Sequence, residues 1–401
     1  MSKDKATHQK TKQHNRDLVL KTIFNQQPIS RAEIARVTKL TRVTVSDMVN
    51  ICLAEGLVEE VGFGTSLGGK SPILLSVVPD SRYIIGLNLG QDKFIGSIVN
   101  LLGEMKETIE IPINHSDKQH ALQYVYQILN QLMSKKWNPI VGIGVATPGL
   151  VNTQEGIIVD AVNLEWQDFP LAHLLEEHYH LPVRVLNDSQ AAAIGEFVYG
   201  GNHRSDGNLV VVNVRHGIGA GILINDQLFQ GDGGSAGEIG HLMVQENGYL
   251  CRCGRRGCLE TVSSAKAVVQ RVQENLNEYP SSDLAHHPGP LSLDLIQKAY
   301  QDKDPLAVKV VNAAADYLGF SLANLVGTLN IHKIVITGEM VQFGEMWLDE
   351  IRKSMQQACL LRVALDTIIE IGKLDFRGYI LGASAFLLLN DYSLLFIKFE
   401  E

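Results

Sequence analysis

Residues 238–260 read EIGHLMVQENGYLCRCGRRGCLE, and this stretch decides how the rest of the chain is read. Three of the five cysteines, Cys251, Cys253 and Cys258, fall within eight residues. Gly254 and Gly257 let the backbone turn tightly between them, since glycine adopts conformations closed to residues with a Cβ. With His241 ten residues before the first cysteine, they make a Cys3His donor set suited to tetrahedral zinc. A Cys-x-Cys pair is too strained for an easy mutual disulfide, and an odd count without a secretion signal argues against a disulfide framework. Four protein ligands leave no open position for a catalytic water, so the expected ion is structural, one per chain. The alternative reading is three small buried cysteines beside a core histidine.

A carboxylate stands at each end of this loop. Glu238 precedes His241 by three residues, and Glu260 follows Cys258 by two. A metal that clamps the loop fixes both acids, and rigid acids suit bidentate recognition of vicinal hydroxyls, as on a sugar. Two solvated surface glutamates are the plainer alternative.

The chain has 401 residues, 45% hydrophobic and 20% charged, enough for two or three domains with sizeable cores. No apolar run approaches the ~20 residues of a membrane span, and the polar N-terminus lacks a signal-peptide core. A cytoplasmic protein of a reducing compartment is expected. The net charge of −9 is unevenly divided. Residues 1–50 hold ten Lys and Arg against four acids, so they carry +6 and the remaining 351 carry −15. A basic head on an acidic body suits a DNA-binding module joined to a solubilising domain.

The head has the matching pattern. Leu18, Val19, Ile23 and Phe24 give a first helix an apolar stripe ending near Pro28. Ser30 and Glu33 form a capping box for a second helix, 31–37, and Thr41 caps a third, 42–55. Counted from Arg31, small Ala35 stands fifth, Leu40 tenth and Val45 fifteenth, the places where a helix-turn-helix needs close approach and a shared core. Lys39 stands where glycine usually makes the turn, at some cost. Arg31, Arg42, Thr44, Ser46 and Asn50 are the expected DNA contacts, with Lys70 at the tip of a wing between strands 57–61 and 73–78. A non-binding three-helix bundle fits the same pattern.

From Ser81 the composition turns to α/β. Apolar strands at 83–89 and 94–101 form a hairpin, echoed by a second at 208–214 and 219–224, which hints at internal duplication. Between and after them come helix 118–135, strands 140–146 and 183–186, helix 190–198, helices 293–300 and 306–329, strand 333–337 and a final helix after Gly378. Helix 306–329, apolar on several faces, is the expected dimer contact. Three parts follow: a DNA-binding domain 1–80, a first lobe 81–190 completed by helix 378–390, and a second lobe 191–401 with the metal loop.

The combination of EIGH, CRCGRRGCLE, LNDSQAAAIGE, VATPGLV and AVNLEW resembles the ROK family of repressors, open reading frames and sugar kinases, over about 18–385. The head, with ISRAEIARVTKLTRVTVSDMV and GGKSPILL, is similar to the winged helix-turn-helix of the family's repressors, including those that respond to xylose, N-acetylglucosamine or glucose. The resemblance implies that head followed by a duplicated, actin-like (ribonuclease H-like) two-lobed sugar-kinase fold with a sugar in its cleft. By position it implies that Asn163, Asn187, Asp188, Glu238, His241 and Glu260 hold the sugar. Asp188 matches the kinase's base; a helix N-cap is the structural alternative for it.

Departures from the family separate kinase from repressor. The Asp-x-Gly-Gly-Thr phosphate loop of the kinases reads Asn88-Leu89-Gly90-Gln91-Asp92 here, placing a carboxylate where phosphates would lie. Their Gly-Thr-Gly turn reads Arg215-His216-Gly217, and the third loop reads Gly338-Glu339-Met340. Loss at three places opposes phosphoryl transfer and leaves Asp188 a vestigial base. The expectation is a non-enzymatic, sugar-responsive repressor of carbohydrate-use genes. It would be a homodimer or tetramer with operator DNA and a sugar or sugar phosphate as partners. Two rivals stay open: an ATP-dependent sugar kinase with a DNA-binding head, and a repressor controlled by a protein of sugar transport. The tail 392–401 has no reading.

Overall fold

The computed structural model describes residues 8–65, 71–113, 120–202 and 207–396. Helix α1 (His8–Gln26) leads to the short strand β1 (Ile29–Ser30) and helices α2 (Arg31–Thr38) and α3 (Arg42–Ala54). The local rules act as read. The Ser30 side chain accepts from Glu33 N while the Ser30 N–H donates back to the Glu33 carboxylate at 3.2 Å, and Thr41 caps α3 by accepting from Thr44 N. Such caps are each worth about 1 kcal/mol. Lys39 takes the left-handed conformation at φ 57°. Strands β2 (Val58–Phe63) and β3 (Ile73–Val77) pair antiparallel as the wing, and β1 adds to the far side of β3, with Ile29 opposite Leu75. Two residues show no periodicity, so β1 was invisible in the sequence.

The body repeats one plan twice. Strands β4 (Tyr83–Leu89), β5 (Lys93–Asn100) and β6 (Met105–Pro112) form a meander, followed by α4 (Ala121–Met133) and β7 (Ile140–Thr147). Next come the short β8 (Leu150–Asn152), the hairpin of β9 (Ile157–Ala161) and β10 (Trp166–Phe169), α5 (Leu171–Tyr179) and β11 (Val183–Asn187). The first sheet has the order β11-β7-β4-β5-β6. The chain continues through α6 (Asp188–Val198), β12 (Leu209–Val214), β13 (Ile218–Ile224), β14 (Gln227–Phe229), α7 (Glu260–Ser263), α8 (Ala265–Asn275) and α9 (Leu293–Gln301). It ends with α10 (Pro305–Leu329), β15 (Lys333–Thr337), α11 (Gly344–Ala358), α12 (Leu361–Asp366), β16 (Ile368–Ile371) and α13 (Arg377–Asn390). The second sheet runs β14-β13-β12-β15-β16. In each, an antiparallel meander is extended beyond its first strand by a parallel one, β7 on β4 and β15 on β12. Every residue of β4, β7 and β12 is buried, which explains their near-continuous apolar sequence.

Compactness groups the chain into two units. One takes the described residues up to Gly149, Thr153–Val185 and those from Ala383 on; the other takes Leu150–Asn152 and Leu186–Gly382. In the first unit the head and the first sheet share one core, where Val19 and Leu20 of α1 and Cys52 of α3 join Ile84, Val141 and Leu387. The tail has a place here too, since Leu394 and Leu395 are buried in that cluster.

In the second unit α10 is the core helix. Its apolar faces, from Leu306 and Val311 to Leu318, Leu322 and Val326, pack inside its own unit. By length and composition α10 could cross a membrane, but 61% of its apolar window is buried within the chain. Phe320 is its one exposed large apolar side chain. Most of its hydrophobicity is therefore accounted for by the core of its own unit.

Helix α13 is cut short in side chains where it meets the sheet. A Cβ at Gly144 would lie 2.1 Å from Ala383 O, a backbone atom that cannot yield. Gly144→Val should therefore cost about 3 kcal/mol through overpacking and lower the melting temperature clearly. An unchanged thermal unfolding curve would show that this contact does not form.

Candidate metal centre and carboxylate site

Loop 238–260 folds back so that His241, Cys251, Cys253 and Cys258 bring their ligand atoms within 4.8 Å of one another. Gly257 makes the closest return, at φ 76°, where a Cβ would stand 1.7 Å from Gln245 O. Cys253 Sγ lies 3.7 Å from Cys258 Sγ, and Cys251 Sγ lies 3.5 Å from His241 Nδ1. A tetrahedron with ~2.3 Å metal–sulfur and ~2.0 Å metal–nitrogen bonds has edges of about 3.8 and 3.5 Å, so the donor set fits a metal ion. His241 presents Nδ1 to this cluster and its Nε2 to Glu238, 3.9 Å from Oε2. A carboxylate beyond a ligating imidazole is the usual partner that fixes ring orientation.

The acids gather around this loop. Glu260 opens α7 with its side chain only 9% exposed, held by Arg252 Nε on Oε1 (2.9 Å), Arg252 Nη2 on Oε2 (3.2 Å) and the Ile218 N–H on Oε2 (3.2 Å). Burial first, and the charge of Asp188 second, push Glu238 up to about 7. Asp188 is only partly covered by area, yet desolvation raises its pKa against the pull of Arg215 and a hydrogen bond from Ser189. The N-cap of α6 is Asn187, which accepts from Ser189 N at 2.8 Å. The cap reading of Asp188 therefore falls, and its carboxylate stays available. Asn163 sits in the other unit, in the turn 162–165 before β10. Asn187, Asp188, Glu238, His241 and Glu260 lie together in the second unit.

The ROK family profile matches residues 84–388. The chain belongs to the ROK family. The xylose repressor of Caldicellulosiruptor bescii is 32% identical over 390 residues, covering 95% of this chain and 96% of that protein. The glucokinase of Halalkalibacterium halodurans is 34% identical over 309 residues, 75% of this chain and 93% of its own. A solved ROK family transcriptional regulator, a homologue of the Escherichia coli MLC protein, superposes with TM-score 0.84 at 26% identity, covering 96% of this chain and 98% of its own. The duplicated sheets and these likenesses establish the two-lobed, actin-like ROK architecture.

Two of the three divergent loops meet within the second unit of this ROK chain. Arg215 Nε lies 3.4 Å and His216 Nδ1 3.6 Å from the Glu339 carboxylate, and the Arg215 guanidinium carbon stands 5.0 Å from the Tyr379 ring centroid. Burial alone would raise Glu339, but these two partners hold it below the usual range. Asn88 is buried on β4 in the first unit, its Oδ1 without a hydrogen-bond partner among the described residues.

In the head, Val45, Met48, Val49 and Cys52 turn inward, leaving Arg42 and Asn50 exposed and Ser46 half-buried on the opposite face. Thr44 is engaged by the Thr41 cap, its Oγ1 2.9 Å from Thr41 Oγ1. Arg31 pairs with Glu60 on the wing at 3.0 Å. Lys70 lies outside the described residues. Sequence reading missed two residues. Val43 is 70% exposed at the start of α3, an apolar side chain off the apolar stripe. Arg252, between two ligand cysteines, holds Glu260, and a basic residue in Cys-x-Cys was the signal.

Two outcomes follow from this geometry. Cys253→Ser should drop bound metal from one ion per chain to near none by atomic absorption, whereas Cys359→Ser, outside the cluster, should not. Equal metal content in both would remove the assigned ligand set. Because the folded pKa of Asp188 lies above its unfolded value, the native state keeps a proton the unfolded chain has lost, and stability falls as pH rises through that window. Asp188→Asn removes this loss, so the variant should melt a few degrees above the parent at pH 7, with the gap closing towards pH 4. A lower melting temperature at pH 7 would contradict the desolvation of Asp188.

Proposed function

We propose that this chain is a sugar-responsive transcriptional regulator, a repressor of carbohydrate-use genes that leaves its operator when a sugar or sugar phosphate binds. The carrying observation is the contrast inside the second unit. The acids Asp188, Glu238 and Glu260 gather near loop 238–260, while Arg215 and His216 stand against the Glu339 carboxylate where family kinases hold phosphate. A turn closed by its own ion pairs offers no free backbone cradle to a nucleotide. ATP-dependent phosphorylation is therefore not part of this reading.

Asn163, Asn187, Asp188, Glu238, His241 and Glu260 form the proposed sugar set, each with a side chain that can exchange hydrogen bonds with hydroxyls. The metal is zinc, held as Cys3His with no open position, so it orders the loop and activates no water. Arg42, Ser46 and Asn50 read the groove, with Val43 placed to touch a thymine methyl and Arg31, Thr44 and Lys70 near phosphates. A single head reads a half-site, so the working form is a cytoplasmic homodimer, or a tetramer of such dimers, on half-sites ~34 Å apart. A coupling of ~1–3 kcal/mol between sugar and DNA suffices for release.

The test is fluorescence anisotropy of the purified protein on its own upstream DNA, at fixed salt because phosphate contacts dominate affinity. Across free and phosphorylated sugars, one should weaken binding about 5- to 150-fold. Binding that no sugar alters would point to a sugar-transport protein as the signal. Absence of specific binding, with ADP release in a coupled assay, would overturn the regulator reading in favour of a kinase.

A further inference from the structure

The segment after α13 folds back on the head. Residues Tyr392–Phe396 form a single turn whose Leu395 is fully buried among Val19, Leu20 and Ile23 of α1, together with Ile84 and Val141 of the first sheet. The Tyr392 ring lies 5.8 Å from that of Phe24, and the Arg16 guanidinium carbon stands 3.6 Å over the Phe396 ring. The turn thus meets α1 through two aromatic contacts and a shared apolar core.

Arg82 ties the same turn to the reading helix. It occupies the junction between head and first lobe, with its side chain 13% exposed. Its Nε donates to Leu395 O at 3.0 Å, Nη1 to Ser81 O at 2.7 Å and Nη2 to Glu55 O at 3.4 Å, while the Glu55 carboxylate lies 3.8 Å away. Glu55 is the C-cap of α3. One planar fork therefore joins three segments that the chain keeps apart: the end of the reading helix, the junction and the tail. Lysine, with a single point of charge, could not reproduce this geometry.

We propose that Arg82 and the C-terminal turn Tyr392–Phe396 form a clasp that fixes the orientation of the DNA-reading head on the first lobe. The proposal rests on the regulator reading given above and names the element that positions its head. Without the clasp, only the shared apolar core holds the head on the first lobe, and non-directional burial fixes orientation less sharply than a hydrogen-bonded fork. With it, the head follows α13. The last turns of α13, from Ala383 on, lie in the same unit as the head and the clasp. Arg82 is a positioning residue and needs no contact with DNA.

The test uses the full chain with Arg82→Met, which keeps an apolar stem and removes the donor fork, and Arg82→Lys as the conservative variant. Backbone hydrogen exchange in α1 and α3 should rise at least tenfold in Arg82→Met, with Arg82→Lys between it and the parent. On upstream DNA, Arg82→Met should bind an isolated half-site within twofold of the parent but lose at least tenfold on the paired half-sites. Exchange in α1 and α3 equal to that of the parent would overturn the clasp. Equal loss on single and paired half-sites would also overturn it, since that marks damage to the reading surface rather than to its placement. If the parent binds no DNA, the regulator reading fails, and the exchange comparison still decides whether the clasp holds the head.

Discussion

Three cysteine sulfurs and one imidazole nitrogen brought within 4.8 Å are the constraint on which loop 238–260 depends. Loop 238–260 has little regular structure of its own, only one turn of 3-10 helix at Ile239–His241 and isolated bridges such as Met243 with Cys258. Such a loop cannot hold two carboxylates still by hydrophobic burial. A metal held by the His241–cysteine cluster would supply that rigidity and fix the backbone on both sides of Arg252, which clamps Glu260 from within the Cys-x-Cys pair. Like charges concentrated in one place would otherwise push the acids apart. Arg215 and Arg252 offset part of that repulsion at Asp188, and Arg252 at Glu238, while burial is the main cause that keeps both carboxyls above the usual range, with the charges of Asp188 and Glu260 adding to it at Glu238.

The two sheets share an order but have diverged in their turns. In the second unit the turn after β12 carries Arg215 and His216, and the turn after β15 carries Glu339, so the two turns neutralise each other. In the first, Asn88 stands near the end of β4 and Asp92 in the turn after it. A fold that places turns at strand ends can keep the acids near loop 238–260 while these turns change, because the two sets sit on different loops.

The head and the core strands were legible because their rules are local. Ser30 and Glu33, Thr41, and the spacing of Ala35, Leu40 and Val45 each act within a few residues, and the apolar runs of β4, β7, β12 and β15 exceed what any surface segment needs. The cluster of His241, Cys251, Cys253 and Cys258 was legible for the same reason. What stayed hidden was decided at long range. Strand β6, half-buried to exposed along its length, has too weak a pattern to be read from sequence. The amphipathic helices α8 and α11 pass without motif, and the short α12 leaves Leu361 and Leu365 exposed. The apolar tail made no sense in sequence because its partners, Val19, Phe24 and Arg82, lie more than three hundred residues away. For α10, composition marked an apolar helix but could not show which elements pack against it.

The central claim is that a metal-ordered loop presents Glu238, His241 and Glu260 to a sugar with no nucleotide involved. Calorimetric titration of sugars into the metal-loaded protein, repeated after chelation and again with ATP present, tests it most directly. The account predicts saturable binding of one sugar, lost on metal removal and indifferent to ATP. Sugar binding that survives chelation unchanged, or that appears only with ATP, would contradict it.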